Sequence, residues 1–304
     1  MISVIIATYN GQAVLPKTLK ALTAITLPSQ GVEFIIIDNA STDNTANILA
    51  EYTDKLPLTI LSEVRQGKSF AIHKGIKHSK GDLIVFSDDD VIPEKRWLVS
   101  YEEASSKKIE FSVFLGQIRP YWLAKAPNWL SQLSDEGRVS GCTSLAIKSG
   151  PASVNWAKGA NFCIRKEVLE SVSFRNDLWI AGKDSPGGED TDFVKKAAKS
   201  GYKLWFVSEA CLKHIISPNE MTLIGIWSRY FRIGRSIANL DNCAANDNVM
   251  LLGYPRWFIA QQAKQLMRLL LNAVMLKQYK VMIKVIEMAV SYGQVYQNKH
   301  HKNK

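Results

Sequence analysis

The stretch "LIVFSDDDVIPEKRW", Leu83–Trp97, decides how the rest of the chain is read. A short apolar run bounded by turn residues has the pattern of a buried strand, here Asp82–Phe86. It runs directly into three adjacent carboxylates, Asp88, Asp89 and Asp90. Neighbouring acids repel, and they gain from proximity only when something positive sits among them. A solvated acidic turn ahead of a helix beginning near Pro93, with Asp90 near its N-terminus, accounts for one or two of the acids but not for three.

Outward from that strand, the first ~110 residues alternate strand-like and helix-like segments, the pattern of a parallel sheet with crossover helices. Ser3–Ala7, Val32–Asp38 and Leu58–Leu61 read as the other strands. Helices are expected around Leu15–Ala24, with Pro16 tolerated in its first turn, over the segment opening at Ser41, and over Lys68–His78. Polar residues collect where the strands finish: Thr8, Tyr9 and Asn10 after the first, Asp38 and Asn39 after the second, Asp88–Asp90 after the fourth. Ligands of open α/β sheets bind beyond the carboxyl ends of the strands, so one ligand explains three such clusters best. Downstream, Phe111–Trp122 reads as a strand, and Trp156–Leu169 as a strand running into a short helix, with Gly159 permitting close backbone approach. Gly187–Val207 is a glycine turn, an acid-rich helix start and a strand; after His214 the chain turns helical. Trp122 and Trp129 are expected in the core rather than stacked on a ligand. The fold class is therefore α/β, a mostly parallel sheet with flanking helices and a C-terminal helical extension.

Composition is that of a globular protein, with 46% hydrophobic and 22% charged residues in 304. Four scattered cysteines without a CxxC pair argue against a zinc site or disulfide framework and for a reducing compartment. The N-terminus reads as a first strand rather than a signal peptide, and no membrane span is expected. The net charge of +10 is concentrated at the end of the chain: residues 250–304 hold nine Lys or Arg and one acid, Glu287.

Paired acids at a loop can hold a hard divalent cation whose shell is completed by substrate phosphates. Asp90 is the preferred direct ligand; Asp88 either shares the metal or takes a ribose hydroxyl, and Asp38 can bond a base or ribose. In "GGED", Gly187–Asp190, two glycines allow a tight turn that puts Glu189 and Asp190 in the first turn of a helix. Capping needs one acid, and Glu189, Asp190 and Asp192 supply three, so a general base is expected among them.

"VIIATYNG" (4–11), "IIIDNASTDNT" (35–45), "FSDDDV" (86–91), "KGANFCIRKEVLE" (158–170) and "GGEDTDF…GYKLWFVSEACLKH" (187–214) together resemble, in order, the motifs of family 2 glycosyltransferases. The resemblance implies a GT-A, Rossmann-like catalytic domain over residues 1–215, with a nucleotide-binding half (1–110) and an acceptor-side half (111–215), followed by a helical extension (216–304). It implies a nucleotide-sugar donor held by Thr8, Tyr9, Asn10, Asp38, Lys68, Asp88 and Asp89, and Mn²⁺ or Mg²⁺ held by Asp90 and Asp88 with His214 as a further ligand. Asp190 would be the catalytic base beside Glu189, Gly159, Asn161 and Gly188 would line the acceptor and donor-sugar side, and transfer would invert the anomeric carbon. The acceptor would be a saccharide or lipid-linked saccharide, with no nucleic acid among the partners. "RQGKSFAIHKGI", Arg65–Ile76, departs from the family's small-residue run, which leaves the donor's phosphate contacts open. An inactive nucleotide-sugar-binding subunit would not need Asp190. A sugar-1-phosphate nucleotidylyltransferase would carry a glycine-rich loop where this chain reads "ATYNGQAVLPK".

In the extension, Gln261, Lys264, Gln265, Arg268 and Asn272 recur at helical spacing among apolar residues running from Trp257 to Leu276. Lys277, Lys280, Lys284, Lys299, Lys302 and Lys304 follow. Apolar breadth with basic edges suits a helix lying in an anionic membrane interface; packing on the catalytic domain or on a second copy is the alternative. The expected location is cytoplasmic, peripheral on the cytoplasmic face of the membrane where that helix binds it.

Overall fold

The computed structural model describes residues 1–175, 187–240, 250–251, 254–275 and 277–302. Leu276, Lys304 and Cys243 lie outside the described residues. In chain order the elements are β1 (Ile2–Thr8), α1 (Leu15–Leu22), β2 (Val32–Asp38), α2 (Thr45–Ala50), β3 (Leu58–Ser62), α3 (Lys68–His78), β4 (Leu83–Ser87), β5 (Val91–Pro93), α4 (Trp97–Lys107), β6 (Val113–Trp122), α5 (Asn128–Asp135), β7 (Gly150–Pro151), β8 (Asn161–Arg165), α6 (Glu189–Lys199), β9 (Leu204–Ile216), α7 (Leu223–Leu240), β10 (Met250–Leu251), β11 (Tyr254–Pro255), α8 (Arg256–Val274) and α9 (Gln278–Lys302).

The large sheet has the order β3-β2-β1-β4-β8-β6-β9-β5, with β7 on β9. Its first four strands are parallel, and β8 enters antiparallel between β4 and β6. Both faces of the parallel half are covered, so β1 is apolar at successive positions, as a doubly buried strand must be. The period-two alternation sends Val4 and Ile6 into one core with Leu15, Leu19, Trp97 and Tyr101, and Ile5 into the other with Ile72, Phe86 and Phe193. Gly75 lets α3 lie against β1, since a Cβ there would sit 2.6 Å from Ile5 Cγ2.

Two expectations fail locally, for physical reasons. Pro93 does not begin a helix; Val91–Pro93 is an edge strand pairing antiparallel with β9, where the missing N–H of proline costs no ladder bond. The helix starts at Trp97 instead. Similarly, α2 begins at Thr45, not near Ser41, because residues 41–44 bond the loop after β1. Asn10 N–H donates to Ser41 Oγ (2.9 Å), Thr42 N–H to Asn10 Oδ1 (2.8 Å) and Gln12 N–H to Asp43 Oδ2 (3.1 Å). Trp122 and Trp129 are half-buried rather than core residues. Cys142, Cys163 and Cys211 are free and buried.

The chain divides into two compact units, one comprising Met1–Leu123, Ser134–Trp179 and Glu189–Ile216, the other Ala124–Leu133, Ile180–Gly188 and Ser217–Lys304. Within the second, α7 and α9 touch backbone to backbone through glycines. A Cβ on Gly234 would lie 2.0 Å from Val290 O, and one on Gly293 would lie 2.0 Å from Phe231 O. Buried Arg235 on α7 donates to Gln297 Oε1 on α9 at 2.8 Å. Among the described residues no helix is long and apolar enough to cross a membrane.

Candidate active site

The register of the parallel strands sets Thr8 beside Asp38 and Asp38 beside Ser62, so the polar strand ends form one edge of the first unit. The loops beyond them are cross-tied by Asn39. Its amide donates to Glu63 O (3.0 Å) and Arg65 O (2.7 Å), while its Oδ1 accepts from Gly67 N–H (2.7 Å). That network fixes the approach to α3 and hence Lys68 at its first position. Only the adjacency of Asn39 to Asp38 signals this role in the sequence; the bonds themselves are tertiary.

Lys68 is the centre of the site. Its Nζ donates to Asp88 Oδ1 at 2.7 Å and to Asp190 Oδ2 at 2.9 Å, tying the end of β4 to the start of α6, the latter 122 positions of sequence away from Lys68 itself. Burial works against the charge of Lys68, but Asp190, Asp88 and Glu189 outweigh it and hold the ammonium well above the ordinary lysine range. Asp190 is placed differently. Burial pushes its carboxyl up, Lys68 pulls it back, and the negative charges of Glu189 and Asp88 push it up again, leaving it at about 6. The asymmetry has a simple origin: one cation is shared by three anions, so the cation gains more than any one anion does. Asp190 Oδ1 is buried with no hydrogen-bond partner. Glu189 is buried at the start of α6, and Asp192 pairs with Lys196 at 2.7 Å on the same helix.

Gly159 packs directly on this carboxylate. A Cβ at Gly159 would lie 1.9 Å from Asp190 Oδ2, a separation that real atoms do not tolerate. Gly159→Ala should therefore displace the Asp190 carboxylate, and a displacement near 1 Å costs about 10²-fold in rate. Turnover measured alongside the thermal midpoint checks this; the midpoint should move little.

Asp90 lies at the other side of the acidic run. β5 pairs Val91 with His214, and Ile215 N–H donates to Asp90 O at 2.8 Å, which brings His214 Nε2 to 3.1 Å from Asp90 Oδ2. The other ring nitrogen, Nδ1, is 2.9 Å from Ser140 O. A carbonyl can only accept, so Nδ1 carries a proton there, and Nε2 meets the carboxylate either with a second proton or across a cation. Histidine metal ligands are oriented by this same bond to a backbone carbonyl. Asp90 Oδ1 is buried without a hydrogen-bond partner. These donors fit a divalent cation. Among the described residues no three His, Cys, Asp or Glu side chains converge on one point, so the chain offers a partial shell, as suits a metal shared with a diphosphate. Ser140, in the left-handed region (φ 58°), is a contributor that sequence reading misses, because its role is borne by a backbone oxygen.

Asp89 turns inward. It accepts from Thr8 Oγ1 at 2.5 Å, and its backbone oxygen accepts from Thr18 Oγ1 at 2.6 Å. Burial drives its carboxyl up, the Thr8 bond opposes this, and Asp90 and Asp88 add to the rise, to about 7. Thr8 and Asp89 thus serve each other. Gly11 permits the pair, since a Cβ there would meet Thr8 Oγ1 at 2.4 Å and Asp89 Oδ2 at 2.9 Å. Tyr9 and Asn10 are exposed on the loop, and Asp38 accepts from Ser41 N–H at 3.0 Å.

Asn161 corrects the sequence expectation of a residue facing the substrate. It is fully buried, and its amide is saturated: Trp97 Nε1 and Tyr101 OH donate to Oδ1 at 2.8 Å, while Nδ2 donates to Gln117 O (2.9 Å) and Ala210 O (2.8 Å). It is a core organiser joining α4, β6, β8 and β9. Asn161→Leu strands four buried polar groups, each costing about 1–3 kcal/mol. The denaturation midpoint in urea should fall sharply, with a total loss of about 4 kcal/mol or more. Gly188 belongs to the second unit, where its positive φ (101°) places it against Ser236 and Leu240.

The glycosyl transferase family 2 model matches residues 3–170, which reaches Asp88–Asp90 and Gly159 but stops short of Asp190 and His214. Glycosyltransferase AglE of Haloferax volcanii is 30% identical over 240 residues, covering 77% of this chain and 72% of its own length. Succinoglycan biosynthesis protein ExoM of Rhizobium meliloti is 24% identical, covering 74% of this chain and 71% of its own length. Among solved structures, the mannosyltransferase PcManGT from Pyrobaculum calidifontis, in complex with GDP-Man and Mn²⁺, superposes with a TM-score of 0.66 at 17% identity, covering 99% of this chain and 87% of its own. TarS residues 1–349 of S. aureus superpose at 0.56 and 18% identity, covering 100% and 92%. At those identities the likeness carries the GT-A fold. With the family match over more than half its length and a relative aligned over most of it, the chain belongs to glycosyltransferase family 2.

Proposed function

We propose that this glycosyltransferase moves a sugar from a nucleotide-diphosphate donor to a hydroxyl of a saccharide or lipid-linked saccharide, with inversion at the anomeric carbon. The observation that carries the reading is the Asp88–Lys68–Asp190 bridge. It joins an acidic strand end suited to the donor to a buried carboxylate suited to the acceptor. Asp190, with its pKa at about 6, is ionised at neutral pH and still basic enough to take the proton of the attacking hydroxyl. The acceptor oxygen then bonds the anomeric carbon as the bond to the diphosphate breaks, in a single displacement. Lys68 stands within reach of both partners and is the cation available to the donor's phosphates. Asp90 and His214, with Asp88 nearby in sequence, would hold Mn²⁺ or Mg²⁺, which supplies charge neutralisation for the departing diphosphate. Asp38 and the loop at Tyr9 and Asn10 are the contacts for the nucleoside. A relative named as a glycosyltransferase and another named for succinoglycan biosynthesis support this reading, as do solved neighbours described with UDP-GlcNAc and with GDP-Man and Mn²⁺. An anionic membrane surface, on the cytoplasmic side, enters as the place where a lipid-linked acceptor is met.

The test is a panel of nucleotide sugars with Mn²⁺, read as slow donor hydrolysis and as thermal stabilisation. A donor at a hundredfold over its Kd should add about 2.7 kcal/mol. Absence of both responses across uridine, guanosine, cytidine and thymidine diphosphate sugars would overturn the assignment of the donor site.

A further inference from the structure

Helix α8 is amphipathic in the reverse sense of an ordinary surface helix. Its buried positions are Phe258, Gln262 and Gln265, with Leu269 and Asn272 half-buried. Both amide atoms of Gln262 and the Oε1 of Gln265 are buried without hydrogen-bond partners. The opposite face carries Ala260, Ala263, Met267, Leu270, Leu271 and Val274 at three- and four-residue spacing, all exposed. Met267 is 68% exposed, Leu270 57%, Leu271 61% and Val274 82%. A helix that packs glutamine inward and shows leucine outward has a second apolar contact to make.

Charge says with what. α8 carries Arg256, Lys264 and Arg268 and no acid. Lys264 and Arg268 are exposed beside the apolar stripe, and Lys277 and Lys280 are exposed just past its end. The single acid between 250 and 304, Glu287, is held by Lys284 at 2.6 Å. The three- and four-residue spacing would also suit a second copy of the helix. Pairing two copies, however, sets these bases against each other with no acid on either strand of the seam to answer them. Exposed Trp257 and Tyr254 at the helix start are the aromatic types that settle at the lipid headgroup level. By the C-terminal end of α8 lies a groove of about 370 Å³ lined by Trp129, Leu223, Ala273, Lys277, Val281 and Met282.

We infer that the outward face of α8 is a docking surface for an anionic lipid bilayer, with Met267, Leu270, Leu271 and Val274 inserted among the acyl chains and Lys264 and Arg268 on the headgroup phosphates. The helix lies on the membrane and does not cross it. This deepens the membrane element of the proposed function; it rests on that reading for its purpose, while the physical evidence is independent of the catalytic residues.

The full-length protein is sedimented with phosphatidylglycerol vesicles, with phosphatidylcholine vesicles and alone, at low and high salt. It should pellet with phosphatidylglycerol at low salt and stay in solution with phosphatidylcholine. Leu270→Glu with Leu271→Glu should abolish pelleting while the thermal midpoint holds, since both side chains already face solvent. Lys264→Glu with Arg268→Glu should weaken binding about tenfold or more. A full-length protein that ignores phosphatidylglycerol overturns the inference, as does vesicle binding that the Leu270/Leu271 pair leaves intact. A dimer in vesicle-free solution that the same pair dissociates, with no vesicle binding, assigns the face to a second copy and also overturns it. Donor-induced stabilisation, measured on the same samples, separates these outcomes from a failure of the catalytic reading.

Discussion

Asp190→Asn will lower turnover by about 10²–10⁴ while leaving donor binding close to that of the native protein. The substitution is nearly isosteric and keeps an oxygen facing Lys68, so the bridge loses its charge but not its shape. What it removes is the capacity to accept a proton. The pH profile provides a second, independent readout. In the native protein, burial, opposed by Lys68 and reinforced by Glu189 and Asp88, leaves Asp190 at about 6. A base is active when deprotonated, so kcat should rise as pH passes upward through about 6 and level off above it. The variant should lose that limb. Turnover near the native value would move the base to Glu189 or Asp192, although Asp192 is already engaged by Lys196 at 2.7 Å.

Asp90→Ala should cut metal-dependent transfer by about 10²–10³ or more, the scale of losing a charge-stabilising group at a reacting oxygen. Chelation of the native protein should have the same effect. The readout that does not depend on activity is Mn²⁺ binding by titration calorimetry in the presence of nucleoside diphosphate, which the variant should lose. The metal-free fold should tolerate the change, because the three carboxylates at 88–90 repel one another. Asp89 makes the sign testable. Its carboxyl is raised to about 7 by burial and by its two acidic neighbours, against the Thr8 bond. A raised carboxylate contributes stability that is complete below its unfolded value near 4 and is lost as pH rises through 7. Thermal midpoints of metal-free native protein should therefore fall across that window, and those of Asp90→Ala should fall less. Equal slopes would show that Asp90 contributes nothing to the rise at Asp89.

The acidic run at the end of β4 was legible because apolar residues running into Asp88–Asp90 contradict ordinary turn chemistry. Lys68 was legible as a residue at a helix start and, through the family resemblance, as a donor contact. Its position between Asp88 and Asp190 depends on α3 and α6 meeting at the same sheet edge, and no local pattern encodes that meeting. His214 shows the same division: its place just ahead of the C-terminal helices was readable, whereas its position within β9 and its approach to Asp90 required β5 to be a strand. Proline near a run of charged residues looks like a helix start, and only the sheet edge makes the strand acceptable. Asn161 was misread because a buried amide and a ligand-facing amide look the same in sequence until the donors around them are known.

By itself, the sequence determined the α/β alternation, the doubly buried first strands and the acids at the strand ends, because these follow from periodicity and local propensity within about ten residues. Tertiary structure alone decided the sharing of Lys68, the inward turn of Asp89, the role of Asn161 and the reversal of α8. The helix period of α8 showed one polar and one apolar face, but periodicity has no sign. Which face meets the protein is settled by the surface it packs on, and here Gln262 and Gln265 are buried while the leucines at 270 and 271 remain exposed.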